Sequence, residues 1–213
     1  MEKWKKYLVA IAIISISFVL YSMIPKKEVL TYQKYFNVMP GDTVVDIGAC
    51  VGDFTFPALE KVGENGVVVA IEPDPDNFSV LQKRTSEYNN IVLVNKGVWN
   101  EKTVLDLNIS SDCKECHSLI YHFDNETISI DVDTLDNILS EIGIQKIDFL
   151  KMDIEGAEIE AIEGASESLN ITSKGSIASY HLRNNEKTAE NIEEKLRNKG
   201  FKTLYDGNTY FWR

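Results

Sequence analysis

Apolar runs alternate with segments of helical periodicity from about Val38 to the C-terminus. Five short apolar runs are typical of buried strands, at residues 43–47, 66–71, 91–95, 147–152 and 176–181. Segments with apolar residues at helical spacing follow four of them, at residues 54–62, 76–88, 157–169 and 186–199. This alternation predicts a mainly parallel sheet with right-handed crossovers and helices on both faces, which is the doubly wound α/β class.

Two regions depart from the alternation. Residues 97–133 contain short runs of alternating apolar and polar residues around a polar loop, which predict a β insertion or an extended flap. Residues 201–205 and 209–212 flank the turn sequence Asp206-Gly207-Asn208 and predict a closing hairpin.

The first 27 residues differ in composition from the rest of the chain. Residues 7–24 carry no charge and are flanked by lysines on both sides. As a helix this segment extends about 27 Å, close to the thickness of the hydrocarbon core of a bilayer. We interpret residues 1–27 as a membrane anchor with one transmembrane helix, and residues 28–213 as a single domain. A cleaved signal peptide and a helix packed on the domain are the alternatives.

The predicted domain is strongly acidic. Residues 28–213 contain 17 basic and 32 acidic residues, a net charge of −15. Such a domain repels phosphate backbones, so nucleic acid is not an expected partner. The three cysteines are an odd number scattered along the chain, which does not predict a disulfide framework.

A tight glycine turn follows the first predicted strand. After Asp46, Gly48 allows the chain to reverse, and Gly52 allows the backbone to approach a ligand at the N-terminus of the next helix. The dinucleotide fingerprint G-x-G-x-x-G is not met, because Cys50 stands where the second glycine belongs. The turn therefore predicts a cofactor-binding loop, with a purely structural turn as the alternative.

An acidic residue ends the second predicted strand. Glu72 lies 20 residues after Gly52, where a carboxylate accepts hydrogen bonds from both ribose hydroxyls of an adenosyl group. The alternative is a helix-capping or solvated carboxylate. Together, the turn and the acid predict a site for an adenosyl cofactor.

The fourth predicted strand ends in acidic residues. In a doubly wound sheet the first and fourth strands are neighbours at the switch point, so Asp153 and Glu155 are expected to face the glycine turn. Lys151 lies inside this strand, where a buried ammonium group requires a carboxylate partner. His181 ends the fifth predicted strand at the same edge, either as a general base or as a structural histidine with a hydrogen bond.

These motifs resemble a known family. The segments DIGACVGDFT, AIEPDPDNF, TLDNI and IDFLKMDIEGAEIEAIEGA are similar to those of the FkbM-type S-adenosylmethionine-dependent methyltransferases, over roughly residues 42–181. The resemblance implies a class I methyltransferase fold, which is Rossmann-like, and S-adenosyl-L-methionine as the cofactor. It also implies methylation of a hydroxyl oxygen.

The resemblance implies roles for individual residues. It places Asp46, Gly48 and Gly52 in the first cofactor loop and Glu72 at the ribose. The remaining predicted cofactor residues lie in or beside these motifs and the ends of the third and fourth strands: Ala49, Pro73, Asn95, Gly97 and Asp153.

The expected reaction is methyl transfer to a hydroxyl group of a small molecule, a glycan or a lipid-linked acceptor. A carboxylate or an imidazole removes the hydroxyl proton, and the predicted catalytic residues are Asp153, Glu155 and His181. A nicotinamide-dependent oxidoreductase and an anchored cofactor-binding domain without turnover are the alternatives. Because the cofactor is made in the cytosol, we expect a single-pass membrane protein whose domain faces the cytoplasm.

The motif Cys113-Lys114-Glu115-Cys116-His117 lies in a region that follows the family pattern poorly. C-x-x-C-H is a pattern of covalent haem attachment, and cysteine with histidine also binds zinc. Joint coordination by adjacent Cys116 and His117 is awkward, and no downstream ligand supports a haem pocket. We interpret the motif as a polar loop and expect no metal site.

Overall fold

The computed structural model of the chain describes residues 31–111, 113, 116–122 and 126–213. The predicted membrane anchor at residues 1–27 lies outside the described residues. Within them, no helix combines the length and the hydropathy that a membrane span requires. The transmembrane helix therefore stays a prediction.

Strands and helices alternate along the described chain. In chain order the elements are β1 (Thr43–Ile47), α1 (Thr55–Val62), β2 (Val67–Ile71), α2 (Pro75–Arg84), β3 (Ile91–Val94), β4 (Gly97–Val98), β5 (Thr103–Asn108), β6 (Thr127–Asp133), α3 (Leu135–Glu141), β7 (Phe149–Met152), α4 (Glu158–Glu163), α5 (Ser166–Asn170), β8 (Lys174–Ala178), β9 (Leu182–Arg183), β10 (Glu186–Lys187), α6 (Ala189–Asn198), β11 (Lys202–Asp206) and β12 (Asn208–Trp212).

The central sheet has seven strands in the order β11-β12-β8-β7-β1-β2-β3. Strands β3, β2, β1, β7 and β8 run parallel, β12 runs antiparallel to β8, and β11 runs antiparallel to β12. The prediction of a mainly parallel, doubly wound sheet is confirmed. Because β1 and β7 are paired neighbours, the switch point lies between them, as the sequence predicts.

Residues 97–133 contain a second sheet of three strands in the order β4-β6-β5. β5 and β6 are antiparallel, and β4 runs parallel to β6. The loop between β5 and β6 returns to the central sheet, where the Ser118 hydroxyl donates a hydrogen bond of 2.7 Å to the carbonyl of Glu155. The inserted sheet and its loop therefore cover the carboxyl end of β7.

The fifth predicted strand is shorter at its C-terminal end than expected. β8 ends at Ala178 because its neighbours stop pairing there: Met152 is opposite Ile177, and Asn208 is opposite Ala178. His181 therefore lies in the loop after the strand and does not close it, which corrects the sequence-based placement.

The helix predicted at residues 157–169 is in fact two helices, α4 and α5. Gly164 separates them, and a Cβ atom there would lie 2.2 Å from the carbonyl oxygen of Trp99. Asp136 accepts hydrogen bonds from the backbone N–H groups of Glu167 and Ser168, and so caps α5. Helix α3, which supplies Asp136, is absent from the sequence prediction because its seven residues are too few to establish a helical period.

Helices cover both faces of the central sheet, as predicted. On one face, buried side chains of β1, β2, β7, β8 and β12 pack against α3, α4, α5 and α6. On the other face, Val44, Val68 and Phe149 pack against Phe54 and α1. The side chains of successive residues in each strand point to opposite faces of the sheet, so they pack into different cores.

A polar pair interrupts the second core at the centre of the sheet. Asp46 on β1 lies opposite Lys151 on β7, with 3.0 Å between Asp46 Oδ1 and Lys151 Nζ. The Asp46 side chain is fully buried and that of Lys151 is 2 % exposed. The carboxylate partner expected for Lys151 is confirmed. The pair joins the two strands of the switch point.

Replacement of Lys151 by Met should destabilise the protein strongly. The Asp46 carboxylate would be left buried without its cation, which costs about 3–5 kcal/mol. Urea unfolding of the full chain measures this loss. The double variant Asp46→Asn/Lys151→Met should recover a large part of it, because no unpaired charge remains.

Lys102→Met is the matched control, because Lys102 is 67 % exposed and its nearest carboxylate oxygen lies 3.6 Å away. We expect that variant to remain within about 0.5 kcal/mol of the parent. If Lys151→Met were as stable as the control, the buried pair would contribute nothing to the fold.

Candidate active site

The glycine turn after β1 is fixed to both neighbouring strands. The N–H groups of Gly48 and Ala49 each donate a hydrogen bond of 3.0 Å to the carbonyl of Ile71 at the end of β2. On the other side, Lys151 Nζ donates to the carbonyl of Gly48 over 2.7 Å. A Cβ atom on Gly48 would lie 1.8 Å from the carbonyl oxygen of Asp153, so only glycine fits between β1 and β7. The turn is therefore held at the switch point.

Two non-glycine residues at or beside this turn adopt the left-handed backbone conformation. Cys50 has φ 47° and Glu155 has φ 53°. Such backbone conformations are uncommon outside glycine and concentrate at functional sites. Cys50 stands where the dinucleotide fingerprint has glycine, and it keeps the backbone conformation that a glycine there would adopt readily.

Asp46 and Gly52 support the turn from behind. The Asp46 carboxylate accepts a hydrogen bond of 2.6 Å from the Thr55 hydroxyl in α1, besides its contact with Lys151. The Gly52 N–H donates to the carbonyl of Ala49, and a Cβ atom on Gly52 would lie 2.8 Å from the Leu81 side chain. Neither residue lines either of the two cavities described in the next paragraphs. Both therefore support the loop without facing a cavity.

Glu72 is positioned by the same turn. Its Oε2 accepts a hydrogen bond of 2.8 Å from the Cys50 N–H, and its Oε1 accepts one of 3.0 Å from the Asp74 N–H. Burial raises the pKa of Glu72 to about 7, and the two backbone hydrogen bonds offset this effect only in part. Each carboxylate oxygen keeps a second lone pair for a ligand.

A cavity of about 570 Å³ lies in front of Glu72, between the glycine turn and the inserted sheet. Among the predicted cofactor residues, Gly48, Glu72, Pro73, Gly97 and Asp153 line it. This volume includes the open mouth of the cavity.

Asn95 does not line this cavity. Its side-chain amide donates to the carbonyls of Glu72 and Pro73, over 2.8 and 3.0 Å. Asn95 therefore orients the strand end that carries Glu72.

A second, wider cavity adjoins the first on the other side of the turn. It encloses about 1300 Å³, including its open mouth. The residues that line both cavities are Gly48, Cys50, Asp153 and Glu155. Ala49 lines the second cavity only. The two cavities therefore meet at the ends of β1 and β7, which is the position predicted for chemistry.

His181 lies among three carboxylates beside this junction. Its Nε2 is 3.5 Å from Glu155 Oε2 and 3.7 Å from Asp153 Oδ1, and its Nδ1 is 3.0 Å from Glu158 Oε1. The structure therefore brings Asp153, Glu155 and His181 together, but His181 lines neither of the two cavities. Burial lowers the pKa of His181, but the Glu155 and Glu158 carboxylates outweigh that effect and raise the pKa to about 10.

Two tyrosines that the sequence analysis did not select contact Asp153. The hydroxyls of Tyr32 and Tyr180 both donate to Asp153 Oδ2, the latter over 3.4 Å. Burial, and then the charge of Asp153, raise the pKa of Tyr180 well above its usual value. Tyr32 precedes the first strand by 11 residues, so no local motif connects it with the site.

The inserted loop contains a disulfide bond between Cys113 and Cys116, which the cysteine pattern did not predict. The two sulfur atoms are bonded to each other and are not available to haem or zinc. His117 instead lines the first cavity, and its Nδ1 accepts a hydrogen bond of 3.0 Å from the Ser110 N–H. His117 thus forms part of the wall of the first cavity.

The residues at the first cavity fit an adenosyl cofactor. Glu72 offers a buried carboxylate with one lone pair on each oxygen for the two ribose hydroxyls. The glycine turn leaves its inner surface free of side chains at Gly48. A doubly wound sheet with an adenosyl site at this switch point defines the class I methyltransferase-like fold.

The chain belongs to the FkbM methyltransferase family. The methyltransferase FkbM domain matches residues 46–203, which include the glycine turn, Glu72 and the Asp153 segment. The resemblance noted in the sequence is therefore confirmed, and so is the class I methyltransferase-like fold.

Short segments are also similar to curated methyltransferases. Ribosomal RNA large subunit methyltransferase E of Methanobrevibacter smithii is 48% identical over 40 residues, which are 19% of this chain and 19% of that protein. The enzyme of the same name from Methanothermobacter thermautotrophicus is 49% identical over 39 residues, 18% of each chain. The match thus spans about a fifth of the length of these relatives.

Solved structures share the fold at low sequence identity. The FkbM methyltransferase of Methylobacillus flagellatus has a TM-score of 0.60 and 22% identity, over 84% of this chain and 46% of that chain. Fibrillarin of Aeropyrum pernix with natively bound S-adenosyl-L-methionine has a TM-score of 0.55 and 10% identity, over 83% and 68%. A methyltransferase of Aquifex aeolicus has a TM-score of 0.50 and 16% identity, over 89% and 95%. Family and fold make S-adenosyl-L-methionine the cofactor of this chain.

Binding of S-adenosylhomocysteine should depend on Glu72 and on pH. A carboxylate must be ionised to accept both ribose hydroxyls, and the pKa of Glu72 is raised to about 7. The dissociation constant should therefore rise about tenfold for each pH unit below that value. Because the folded state holds the proton more tightly than the unfolded state, Glu72 also makes the unliganded protein more stable as the pH falls through about 7.

Titration calorimetry at pH 8 and at lower pH measures this dependence. Glu72→Ala should weaken binding at least about tenfold at pH 8, because charge-assisted hydrogen bonds are lost, and should flatten the pH profile. Asp76→Asn, an exposed acid in the first turn of α2, should bind like the parent. If Glu72→Ala also bound like the parent, the ribose would lie elsewhere.

Proposed function

We propose that the chain transfers a methyl group from S-adenosyl-L-methionine to a hydroxyl oxygen of a small-molecule, glycan or lipid-linked acceptor. The observation that carries this proposal is the meeting of two cavities at Gly48, Cys50, Asp153 and Glu155. One cavity contains the ribose-binding carboxylate and suits the cofactor. The other opens to solvent and suits an acceptor that approaches from the opposite side of the turn.

The residues at the junction hold the two reactants in line. When bound, S-adenosyl-L-methionine supplies an electrophilic methyl group on a positively charged sulfur. Gly48 adds no side chain to the path between the cavities, and the Asp153 carboxyl group lies beside that path. Most of the rate enhancement expected from such a site comes from proximity and orientation.

The hydroxyl proton needs an acceptor among the carboxylates. In this environment His181 is an imidazolium at neutral pH, because its pKa is raised to about 10. This favours Asp153 or Glu155 as the group that takes the proton, with the His181 imidazolium beside both carboxylates. As the oxygen forms its bond to the methyl carbon, the electron pair of the broken carbon–sulfur bond stays on sulfur.

The lining of the second cavity supports a neutral, hydroxyl-rich acceptor. Tyr32, Tyr180 and Asn208 contribute aromatic surface and polar groups to it. The charge of −15 on residues 28–213 disfavours an anionic acceptor such as nucleic acid. The ribosomal RNA named for the two methanogen enzymes is therefore not our proposed substrate.

Methyl transfer should be detectable with the full chain in its membranes. With methyl-labelled S-adenosyl-L-methionine, we expect label in an extractable acceptor, as a base-stable methyl ether. Asp153→Asn should lower kcat at least about tenfold, because a positioned carboxylate at the acceptor oxygen is lost.

Asp131→Asn is the control for that variant, because Asp131 is an exposed acid on β6. A parent chain that binds S-adenosylhomocysteine but transfers no label would favour a cofactor-binding domain without turnover. Binding of NAD instead of S-adenosylhomocysteine would favour the oxidoreductase alternative.

We also propose that residues 1–27 anchor the domain in a membrane with the domain in the cytoplasm. The support is the uncharged segment at residues 7–24 and the cytosolic origin of the cofactor. In sealed, right-side-out vesicles the cytoplasmic face of the membrane is inside, so added protease should spare the domain. In inverted vesicles the domain should be exposed to cleavage. Asn170, an exposed asparagine in an Asn-Ile-Thr sequence, gives a second readout, since it should stay unglycosylated in a eukaryotic host. Cleavage of the domain in sealed vesicles of native orientation, or glycosylation, would contradict the proposed orientation.

A further inference from the structure

A compact group of metal-ligand atoms lies at the junction of the two cavities. One atom each from Asp153, Glu155 and His181 lie within 4.8 Å of one another. Adjacent ligands of a Zn²⁺ or Mg²⁺ ion, at about 2.1 Å from the metal, are about 3.0–3.4 Å apart. The distances of 3.5 and 3.7 Å from His181 Nε2 to the Glu155 and Asp153 oxygens need only a small contraction to reach this spacing.

One ring nitrogen of the histidine in this group is buried without a hydrogen bond. His181 is 6% exposed, its Nδ1 lies 3.0 Å from Glu158 Oε1, and within the described residues its Nε2 has no hydrogen-bond partner of normal geometry. Asp153 Oδ1 is likewise buried and lacks such a partner within the described chain. Buried polar atoms are normally satisfied, so two such atoms 3.7 Å apart favour a ligand bound between them.

A further carboxylate is placed to orient the imidazole. Glu158 Oε1 lies 3.0 Å from His181 Nδ1, on the side of the ring away from Asp153 and Glu155. The same oxygen accepts hydrogen bonds from the N–H groups of Ile154 and Gly156, at 3.1 and 3.3 Å. Histidine ligands typically donate their second N–H to a carboxylate, which directs the other nitrogen at the metal. Glu158 fills that position.

We infer that Asp153, Glu155 and His181 form a binding site for one divalent first-row transition-metal ion. An imidazole ligand favours such an ion over Mg²⁺ or Ca²⁺, which prefer oxygen. Three protein ligands leave coordination positions open, which is typical of catalytic sites, and Asp153 and Glu155 line both cavities. The inference departs from the expectation of no metal site that the sequence supports.

The inference deepens the proposed function, on which its catalytic meaning rests. An ion here lies next to the proposed position of the acceptor hydroxyl, and coordination to a divalent cation promotes loss of a hydroxyl proton. Metal binding first displaces the proton from His181 Nε2, because only a neutral imidazole nitrogen is a ligand. With Asp153 and Glu155 bound to the ion, the hydroxyl proton passes to water instead of to a carboxylate, the oxygen pair forms the bond to the methyl carbon, and sulfur keeps the pair of the broken bond. Metal binding itself requires neither cofactor nor acceptor, so its test is independent of turnover.

Electron paramagnetic resonance of Mn²⁺ added to the chelator-treated full chain tests the site. We expect loss of free Mn²⁺ signal up to one equivalent per chain, and nitrogen modulation of the bound ion from an imidazole ligand. Glu155→Gln keeps the shape of a half-buried side chain and should weaken binding at least about tenfold. His181→Ala should remove the nitrogen modulation, and Asp131→Asn should change neither readout.

Competition between the protein and a coloured chelator repeats the titration with Zn²⁺. Thermal unfolding in the absence of metal establishes that the variants are folded. The inference is overturned if neither ion binds, or if binding of both ions is unchanged in Glu155→Gln and His181→Ala. In that case His181 would serve only as a protonated partner of the carboxylates. Metal binding without methyl transfer would uphold this site while removing the proposed function.

Discussion

The buried ion pair between Asp46 and Lys151 is the interaction on which the site depends. It joins β1 to β7 at the switch point of the sheet, inside an otherwise apolar core. Lys151 also donates a hydrogen bond to the carbonyl of Gly48. The same buried ammonium group therefore also fixes the glycine turn. An apolar pair of similar size would be as stable or more so, which suggests that the ion pair serves position more than stability.

The site gains its chemistry from groups that cost stability. Glu72 is buried enough to raise its pKa to about 7, and Cys50 and Glu155 adopt left-handed backbone conformations. These costs are tolerated because the surrounding hydrogen bonds leave the chain no alternative arrangement. If the ribose binds at Glu72 as we propose, its hydroxyls replace the water that the carboxylate lost and offset the cost of burying it. Ligand binding and local stability are therefore linked at one residue.

The sequence was sufficient for features that depend on local patterns. Short apolar runs located the strands around Asp46, Glu72 and Lys151, and the doubly wound rule brought Asp153 next to the glycine turn. It was not sufficient where distant segments meet. Tyr32 contacts Asp153 across 121 residues, and the end of β8 is set by its neighbours, which moved His181 into a loop. The carboxylate environment that raises the pKa of His181 likewise arises only from the assembled loops.

The most direct test of this account is a crystal structure of the full chain with S-adenosylhomocysteine bound. The account predicts that both ribose hydroxyls contact Glu72 and that the sulfur lies over the Gly48–Cys50 turn. The sulfur should then point into the second cavity, beside Asp153 and Glu155. An adenosyl group bound away from Glu72, or a sulfur directed away from the junction of the cavities, would contradict it.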